Sequence, residues 1–144
     1  MTQENKELLI KDLYGRLQYR PYIDVNGIKT ILKSIYWDGY QYLVNIRPFE
    51  DEGHRDGIPL FYANGKCCVK PYLRPVKSMT EDECYELSKI DNLWDGTILS
   101  MPYEFDIASS RQIDWLDAKQ FDHRGLIQKK LAIEAASGMY LKNQ

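Results

Sequence analysis

Two glycine turns, Asn26-Gly27 and Asp38-Gly39, restrict the fold of this chain more than any other feature of its sequence. A type I′ hairpin turn needs positive φ at both central residues, which Asn-Gly and Asp-Gly pairs supply, and it joins neighbouring antiparallel strands. The flanking segments are rich in β-branched and aromatic residues; they are Tyr22–Val25, the run from Ile28, residues 31–37 and residues 40–46. The two turns together predict a meander of three antiparallel strands.

A third turn of the same kind, Asn64-Gly65, predicts a hairpin between residues 60–62 and 66–69. Connections this short favour an antiparallel sheet, because parallel strands need long crossovers. Pro48 is expected to end the third strand of the meander. The intervening segment PFEDEGHRDGIP is polar and contains glycine and proline, so it is expected to be a mobile loop.

The sequence before the strands predicts a helix over residues 5–17. Its apolar residues recur at helical spacing and form one stripe, made of Leu9, Ile10, Leu13 and Leu17. Gly15 weakens the last turn of this helix, and Pro21 makes its continuation past Arg20 unfavourable. We expect the helix to lie on the sheet and to bury the stripe there.

Two capping boxes indicate where later helices begin. In a capping box the hydroxyl of Ser or Thr accepts from the third helical amide, and the Glu or Gln there reaches back to the N-cap amide. Thr80 and Glu83 form the first box and predict a helix as far as Ile90. Ser109 and Gln112 form the second box, at the start of an amphipathic helix.

The segment after Ser109 is the part of the chain richest in apolar anchors. One face of its helix is predicted to be apolar, and it contains Ile113, Trp115, Leu116, Ala118, Gln120 and Phe121. Asp114 and Asp117 are expected on the solvent-exposed side. Gly125 then ends the run, and Leu126 begins a second apolar set that predicts a short helix or strand. The last residues, SGMYLKNQ, are expected to add a short edge strand.

Composition sets the class of protein. The chain has 144 residues, of which 44% are hydrophobic and 28% are charged, which is typical of a folded globular domain. We therefore predict one α+β domain over residues 1–144: an antiparallel β-meander with an N-terminal helix and C-terminal helical segments packed on it. The net charge of -2 gives no general attraction to nucleic acid or to anionic membranes. No apolar run is long enough to span a bilayer.

The histidines and cysteines are candidates for metal binding or catalysis, but the residues around them support neither. His54 lies in an acidic segment that contains Glu50, Asp51, Glu52 and Asp56, but the spacing matches no known calcium or zinc motif. A solvated acidic loop explains it. The three cysteines form no disulfide framework, and the adjacent Cys67 and Cys68 point to opposite faces of a strand. We expect no metal and no cofactor, and a reducing, cytoplasmic setting.

Asp122-His123-Arg124 is the other place where acid–base chemistry could reside. A helix C-terminus favours histidinium and arginine electrostatically, which explains both basic residues without catalysis. No nucleophile motif and no phosphate-binding glycine loop occurs in the chain. We therefore assign no catalytic residue.

One basic stretch is distinct from its surroundings. Between residues 63 and 79 the chain has four basic residues, no acidic residue and one aromatic among them: Lys66, Lys70, Tyr72, Arg74 and Lys77. Such a combination can bind single-stranded nucleic acid through phosphate contacts and base stacking. The same residues can instead balance neighbouring acidic segments on a solvated edge strand.

Two stretches carry a resemblance to a known family. KPYLRPVKSMTEDE, from Lys70, and DWLDAKQFDHRGLIQKKLAIEAASGMY, from Asp114, resemble conserved runs in small uncharacterised proteins of phages and prophages from gut anaerobic bacteria. The resemblance implies an intracellular accessory protein expressed from a mobile element, and it transfers no activity. His123 stands where the family pattern has a tyrosine, which argues against a fixed catalytic role.

The sequence thus predicts a non-enzymatic protein-interaction module encoded by a phage or prophage, with a protein partner that it does not identify. The 11 tyrosines fit a contact surface as well as a half-buried sheet. A nucleic-acid-binding accessory protein that uses the basic stretch is the first alternative. An enzyme of unrecognised type, with His54 or His123 at its centre, is the second. The sequence does not specify the oligomeric state.

Overall fold

The computed structural model describes residues 1–46, 57–62, 66–90 and 109–140. In this part of the chain three α-helices accompany a six-stranded, mostly antiparallel sheet, so the predicted α+β class is confirmed. The helices are α1 (Gln3–Arg16), α2 (Glu81–Ser88) and α3 (Ser110–Ala118). The strands are β1 (Tyr22–Val25), β2 (Ile28–Trp37), β3 (Tyr42–Ile46), β4 (Ile58–Pro59), β5 (Val69–Leu73) and β6 (Ile133–Glu134).

The β1–β2 hairpin forms as its turn predicts. Val25 pairs with Ile28, which leaves Asn26 and Gly27 as a two-residue loop. Both have positive φ, 53° and 88°, as a type I′ turn requires. The carboxylate of Asp24 also accepts a hydrogen bond of 3.2 Å from the amide of Gly27.

The β2–β3 hairpin is confirmed, but its loop is longer than the two residues predicted. Trp37 pairs with Tyr42, so residues 38–41 form a four-residue loop. The Asp38 carboxylate accepts hydrogen bonds from the amides of Tyr40 and Gln41, at 2.8 and 2.9 Å. These two bonds hold the wider loop closed, because an aspartate side chain can take the place of a backbone acceptor in a turn.

The sheet has the strand order β4-β3-β2-β1-β5-β6. Backbone hydrogen bonds beyond this order also connect β3 to the β1–β2 turn through residues 60 and 68. Leu60 donates to the carbonyl of Tyr42, and Cys68 donates to the carbonyl of Leu60, both at 3.0 Å. The amide of Asn26, in the β1–β2 turn, donates to the carbonyl of Cys68 at 3.4 Å. Residues 60–62 thus pair with 66–68 as the third turn predicts, although residues 63–65 themselves lie outside the described part.

The last strand is parallel, which the sequence did not predict. Tyr72 of β5 pairs with Ile133 and Leu73 with Glu134, side by side in the same direction. The connection between them contains α2 and α3, so it is long enough for a parallel crossover. The expected edge strand at SGMYLKNQ is replaced by a turn over residues 137–140, with residues 141–144 outside the described part.

The two later helices begin where their capping boxes predict, whereas α1 begins earlier than predicted. Thr2 caps α1, which starts two residues before the predicted position and continues as a short 3₁₀ helix, Leu17–Tyr19. Both capping boxes form, at Thr80 for α2 and at Ser109 for α3. The second helix ends at Ser88, and the third ends at Ala118, so Phe121 lies beyond the helix.

Two apolar clusters stabilise the fold. The main one lies between α1 and the sheet, and Leu9 and Leu13 of the predicted stripe are fully buried in it. A smaller cluster joins Leu87 of α2 to Leu116 and Phe121. The predicted loop around His54 lies outside the described residues.

Candidate functional site

A cluster of charged side chains is buried where α1, α3 and the loop after α3 meet. Five residues from these three segments form it: Asp12, Arg16, Asp117, His123 and Arg124. Asp12 and Arg16 are fully buried, and Asp117 is 3% exposed. Buried charged groups destabilise a fold unless they are paired and hydrogen-bonded. The pairing within the cluster therefore decides whether these charges destabilise the protein.

The two carboxylates link the segments. Asp12 accepts two hydrogen bonds from Arg16, at 2.9 and 3.0 Å, and a third from Arg124 at 2.7 Å. Asp117 accepts two from Arg124, at 2.9 and 3.2 Å, and its Oδ1 lies 2.7 Å from His123 Nε2. Arg16 also donates to the carbonyl of Phe121 at 2.6 Å. The cluster therefore fastens the loop to both helices.

Gly15 permits this close approach. A Cβ at position 15 would lie 2.8 Å from Asp117 Oδ2 and 3.1 Å from a terminal nitrogen of Arg124. A side chain at this position would force the Asp117 carboxylate to shift and would disturb its ion pair with Arg124. Gly15 lowers the helix propensity of the last turn of α1, and this close packing explains why a glycine is present there.

Electrostatics favour the charged form of Asp117. Burial alone would raise its pKa, but the hydrogen bonds from His123 and Arg124 and the nearby Arg16 charge lower the pKa of Asp117 to about 2. Burial lowers the pKa of His123, and the charges of Arg124 and Arg16 act in the same direction, while Asp117 opposes them. The result is an ionised carboxylate beside a histidine that favours its neutral form.

These positions correct the sequence interpretation. Asp117 was predicted on the solvent-exposed side of its helix and is buried, because Arg124 and His123 fold back onto it. His123 and Arg124 do not lie at the helix terminus, which is at Ala118, so the helix dipole does not explain them. One signal for the cluster was in the sequence: Asp12 and Arg16 continue the helical spacing of Leu9 and Leu13.

His123 also lines a cavity of about 430 Å³. Lys77, Asp122 and Glu134 contribute charged groups to its walls. Both oxygens of Asp122 are engaged, since they accept from the amides of Leu126 and Ile127 at 2.8 and 2.9 Å. The described residues that line the cavity include no serine, threonine or cysteine that could act as a nucleophile with the histidine–aspartate pair. The geometry supports a structural role for His123.

The predicted basic stretch is only partly assembled into a surface. Lys70 and Tyr72 share the outer face of β5, because Val69, Pro71 and Leu73 alternate with them toward the core. Lys66 precedes the strand and Lys77 lies in the 3₁₀ helix Val76–Ser78; both are exposed. The strand β5 lies between β1 and β6, so the stretch runs along an internal strand and into the 3₁₀ helix, and the sequence interpretation of an edge strand is wrong.

Several members of the stretch have partners within the protein. Arg74 makes two hydrogen bonds to Glu83, at 2.7 and 2.8 Å, and its guanidinium lies 4.1 Å from the ring centre of Phe121. Lys70 stands directly opposite Asp24 in the β1–β5 ladder. Burial and a hydrogen bond to the same Asp24 raise the pKa of Tyr72. These contacts reduce the positive charge that the strand can offer to phosphate groups.

A second surface was not singled out by the sequence: the aromatic patch, defined as Tyr14, Trp37, Tyr40 and Tyr42. Trp37 and Tyr42 are cross-strand partners at the end of the β2–β3 hairpin, with ring centres 5.0 Å apart. Tyr14 of α1 packs edge-on against Tyr42 at 6.3 Å. Trp37 is 55% exposed and Tyr40, at the hairpin tip, is 91% exposed. Tyr42 also packs against the main apolar cluster, so it connects the patch to the core.

The described residues provide neither a metal site nor a membrane-spanning helix. Within the described residues no group of three or more His, Cys, Asp or Glu side chains is placed to hold a metal ion. None of the helices in that part of the chain is long and apolar enough to cross a membrane. The acidic segment around His54 lies outside it.

Comparison with known proteins does not assign a family. No protein-family model matches the chain. Neither the curated proteins nor the solved structures include a significant match. The function of this chain is therefore inferred from its own residues.

Proposed function

We propose that this protein is a protein-interaction module that binds its partner through the aromatic patch. The observation that carries the proposal is the exposure of Trp37 and Tyr40 on one hairpin, beside Tyr14 of the N-terminal helix. Interface centres are enriched in tyrosine and tryptophan, and these residues dominate measured binding energies. Single exposed aromatics are ordinary, whereas several in contact indicate a binding surface.

The arrangement of the rings supports the same proposal. Tyr42 is half-buried and packs on the main apolar cluster, and both Tyr14 and Trp37 contact it. Rings that are already held in place lose little conformational freedom when a partner binds, so more of the contact energy remains as affinity. The Asp38 hydrogen bonds hold the hairpin loop in the same way.

We further propose a cellular setting: an accessory protein of a phage or prophage that acts in the cytoplasm. The support is the sequence resemblance of the C-terminal half and the chemistry of the three cysteines, which are free thiols in the structure. Burial raises the pKa of each of these thiols, so none of them is an activated nucleophile.

The proposal predicts that binding depends on the aromatic patch. The tagged protein and its Trp37→Ala and Tyr40→Ala variants are used to capture partners from host lysate, with and without nuclease, and captured proteins are quantified by mass spectrometry. A partner that binds through the patch survives nuclease and is reduced about tenfold or more by Trp37→Ala, since a dominant aromatic contact contributes at least about 1.4 kcal/mol.

The matched control is Tyr85→Ala. Tyr85 is 63% exposed on α2 and does not belong to the patch, so its removal is expected to leave capture unchanged. Equal capture by Trp37→Ala and the unchanged protein would contradict the proposal.

The alternative proposal is nucleic-acid binding along the basic stretch. It is supported by Lys70 and Tyr72 on one outer face of β5, with Lys66 and Lys77 exposed beyond its ends. The same experiment separates the two. A captured fraction that disappears with nuclease, and that falls in a Lys66→Glu, Lys77→Glu double variant but not in Trp37→Ala, would replace the patch with the basic stretch as the binding surface.

A further inference from the structure

We propose that the partner presents an arginine to the aromatic patch: its guanidinium stacks on an exposed ring of the β2–β3 hairpin and pairs with the carboxylate of Asp38. This inference rests on the proposed function, because it names the chemistry of the partner that the same surface binds. It starts from the hairpin tip, where the exposed Asp38 stands in the chain between the exposed rings of Trp37 and Tyr40.

The ring faces of the patch are open to a cation. Trp37 is 55% exposed, Tyr40 is 91% exposed and Tyr14 is 45% exposed. The face of an aromatic ring attracts a cation that lies within about 6 Å of its centre, and tryptophan does so most strongly. In the part of the chain that the structure describes, no lysine or arginine of the protein lies over any of these three rings, whereas Lys89 lies 4.3 Å from the ring centre of Tyr85. The rings of the patch are therefore available to a cation of the partner.

Asp38 supplies a negative charge beside these rings. Its Oδ1 accepts from the amides of Gln41 and Tyr40, at 2.9 and 2.8 Å. These hydrogen bonds lower the pKa of Asp38 below its ordinary value, so the group is a carboxylate at neutral pH. Among the described residues no donor reaches its Oδ2, which can therefore accept a hydrogen bond from the partner. Lys11, one helical turn before Tyr14, opposes a cation on the α1 side, so the guanidinium is placed on the hairpin side of the patch.

The fold already contains the same combination of ring, arginine and carboxylate. The guanidinium of Arg74 lies 4.1 Å from the ring centre of Phe121 and donates two hydrogen bonds to Glu83, at 2.7 and 2.8 Å. A guanidinium can do both because it is planar, so its face stacks on the ring while its N–H groups point outward in the plane. The ammonium group of lysine has no flat face to stack. We therefore assign the cation to arginine.

A nucleobase is the other planar group that stacks on exposed aromatic rings. A nucleic acid also brings phosphate groups, and the ionised Asp38 repels them at the hairpin tip. The charge of the patch thus favours a basic protein segment over a single-stranded nucleic acid.

An NMR titration of the full-length protein with a short peptide of alternating glycine and arginine, at low salt, tests the inference. The matched probe is the same peptide with citrulline in place of arginine, which keeps the shape and removes the charge. We expect the arginine peptide to shift the indole signal of Trp37 and the amides of residues 37–42, and the citrulline peptide to bind several-fold more weakly. The indole of Trp115 donates to Glu86 at 2.9 Å and is expected to keep its position.

Two substitutions separate the ring from the charge. Asp38→Asn keeps an Oδ1 acceptor for both loop amides but removes the charge, so it is expected to weaken binding of the arginine peptide about two- to fivefold, as for an exposed ion pair. Trp37→Ala removes the stacking face and is expected to weaken it about fivefold or more. Tyr85→Ala, outside the patch, is expected to leave the affinity unchanged.

The outcomes distinguish this inference from the proposed function. Equal binding of the arginine and citrulline peptides, or an unchanged affinity in Asp38→Asn, would overturn the arginine assignment, while capture that still depends on Trp37 would keep the patch as a protein-binding surface. Larger shifts of the Trp37 indole with an oligothymidylate than with the arginine peptide would also overturn it. Capture from lysate that does not depend on Trp37 would contradict the proposed function, and the peptide titration would still decide whether the patch binds arginine.

Discussion

Replacing Asp117 by alanine is expected to lower the free energy of unfolding by about 3–5 kcal/mol, the range measured when one partner of a buried ion pair is removed. The carboxylate accepts both hydrogen bonds of Arg124 to α3 and contacts His123. Its loss leaves a buried guanidinium with Asp12 as its remaining anionic partner in the cluster. Urea denaturation followed by circular dichroism measures the change, provided that the slope of the transition is unaltered.

Asp114→Ala is the matched control for this substitution. Asp114 lies three residues earlier on the same helix and is exposed, where it accepts hydrogen bonds from Tyr19 and Gln18. Its replacement is expected to cost about 1 kcal/mol, as for an ordinary exposed hydrogen bond. If the two variants had equal midpoints, the buried cluster would not stabilise the fold in the way that its geometry indicates.

Replacing Phe121 by alanine is expected to lower the free energy of unfolding by a similar amount, about 3–5 kcal/mol. Its ring is fully buried, stacks on Trp115 at 5.9 Å and supports the guanidinium of Arg74 at 4.1 Å. The substitution therefore leaves a cavity in the smaller apolar cluster and also removes the cation–π contact. Thermal or urea denaturation measures the loss.

Phe121→Leu separates the two contributions at this position. Leucine fills most of the volume but provides no aromatic face, so we expect a smaller loss, about 1–2 kcal/mol. Tyr85→Ala, at an exposed site, is expected to change the stability by less than about 0.5 kcal/mol. A loss for alanine no greater than that for leucine would show that burial at residue 121 is not what stabilises the smaller cluster.

The hairpins and helix starts could be predicted because each depends on a few adjacent residues. Asn26-Gly27 meets the φ requirement of its turn by itself, and the capping boxes at Thr80 and Ser109 satisfy their own amides. The exact loop of the second hairpin escaped prediction because the Asp38 side chain competes with backbone pairing there. Local chemistry predicts an element well and its last residue less well.

The candidate site was harder to predict because its parts are distant in sequence. Asp12 and Arg124 are 112 positions apart, and Tyr14 meets Tyr42 only through the packing of α1 on the sheet. The amphipathic pattern of α3 places Asp117 on the outside of an isolated helix. Asp117 becomes buried only because the loop after α3 folds back over that side of the helix.

The sequence by itself determined the elements of this protein: a capped N-terminal helix, an antiparallel meander and two later helices, each specified by side chains within a few residues of its ends. Tertiary structure decided the parallel β6 strand, the buried charges and the exposed aromatic patch. Burial depends on which surfaces meet, and a carboxylate changes from a solvated group to an internal link when two arginines from distant segments surround it.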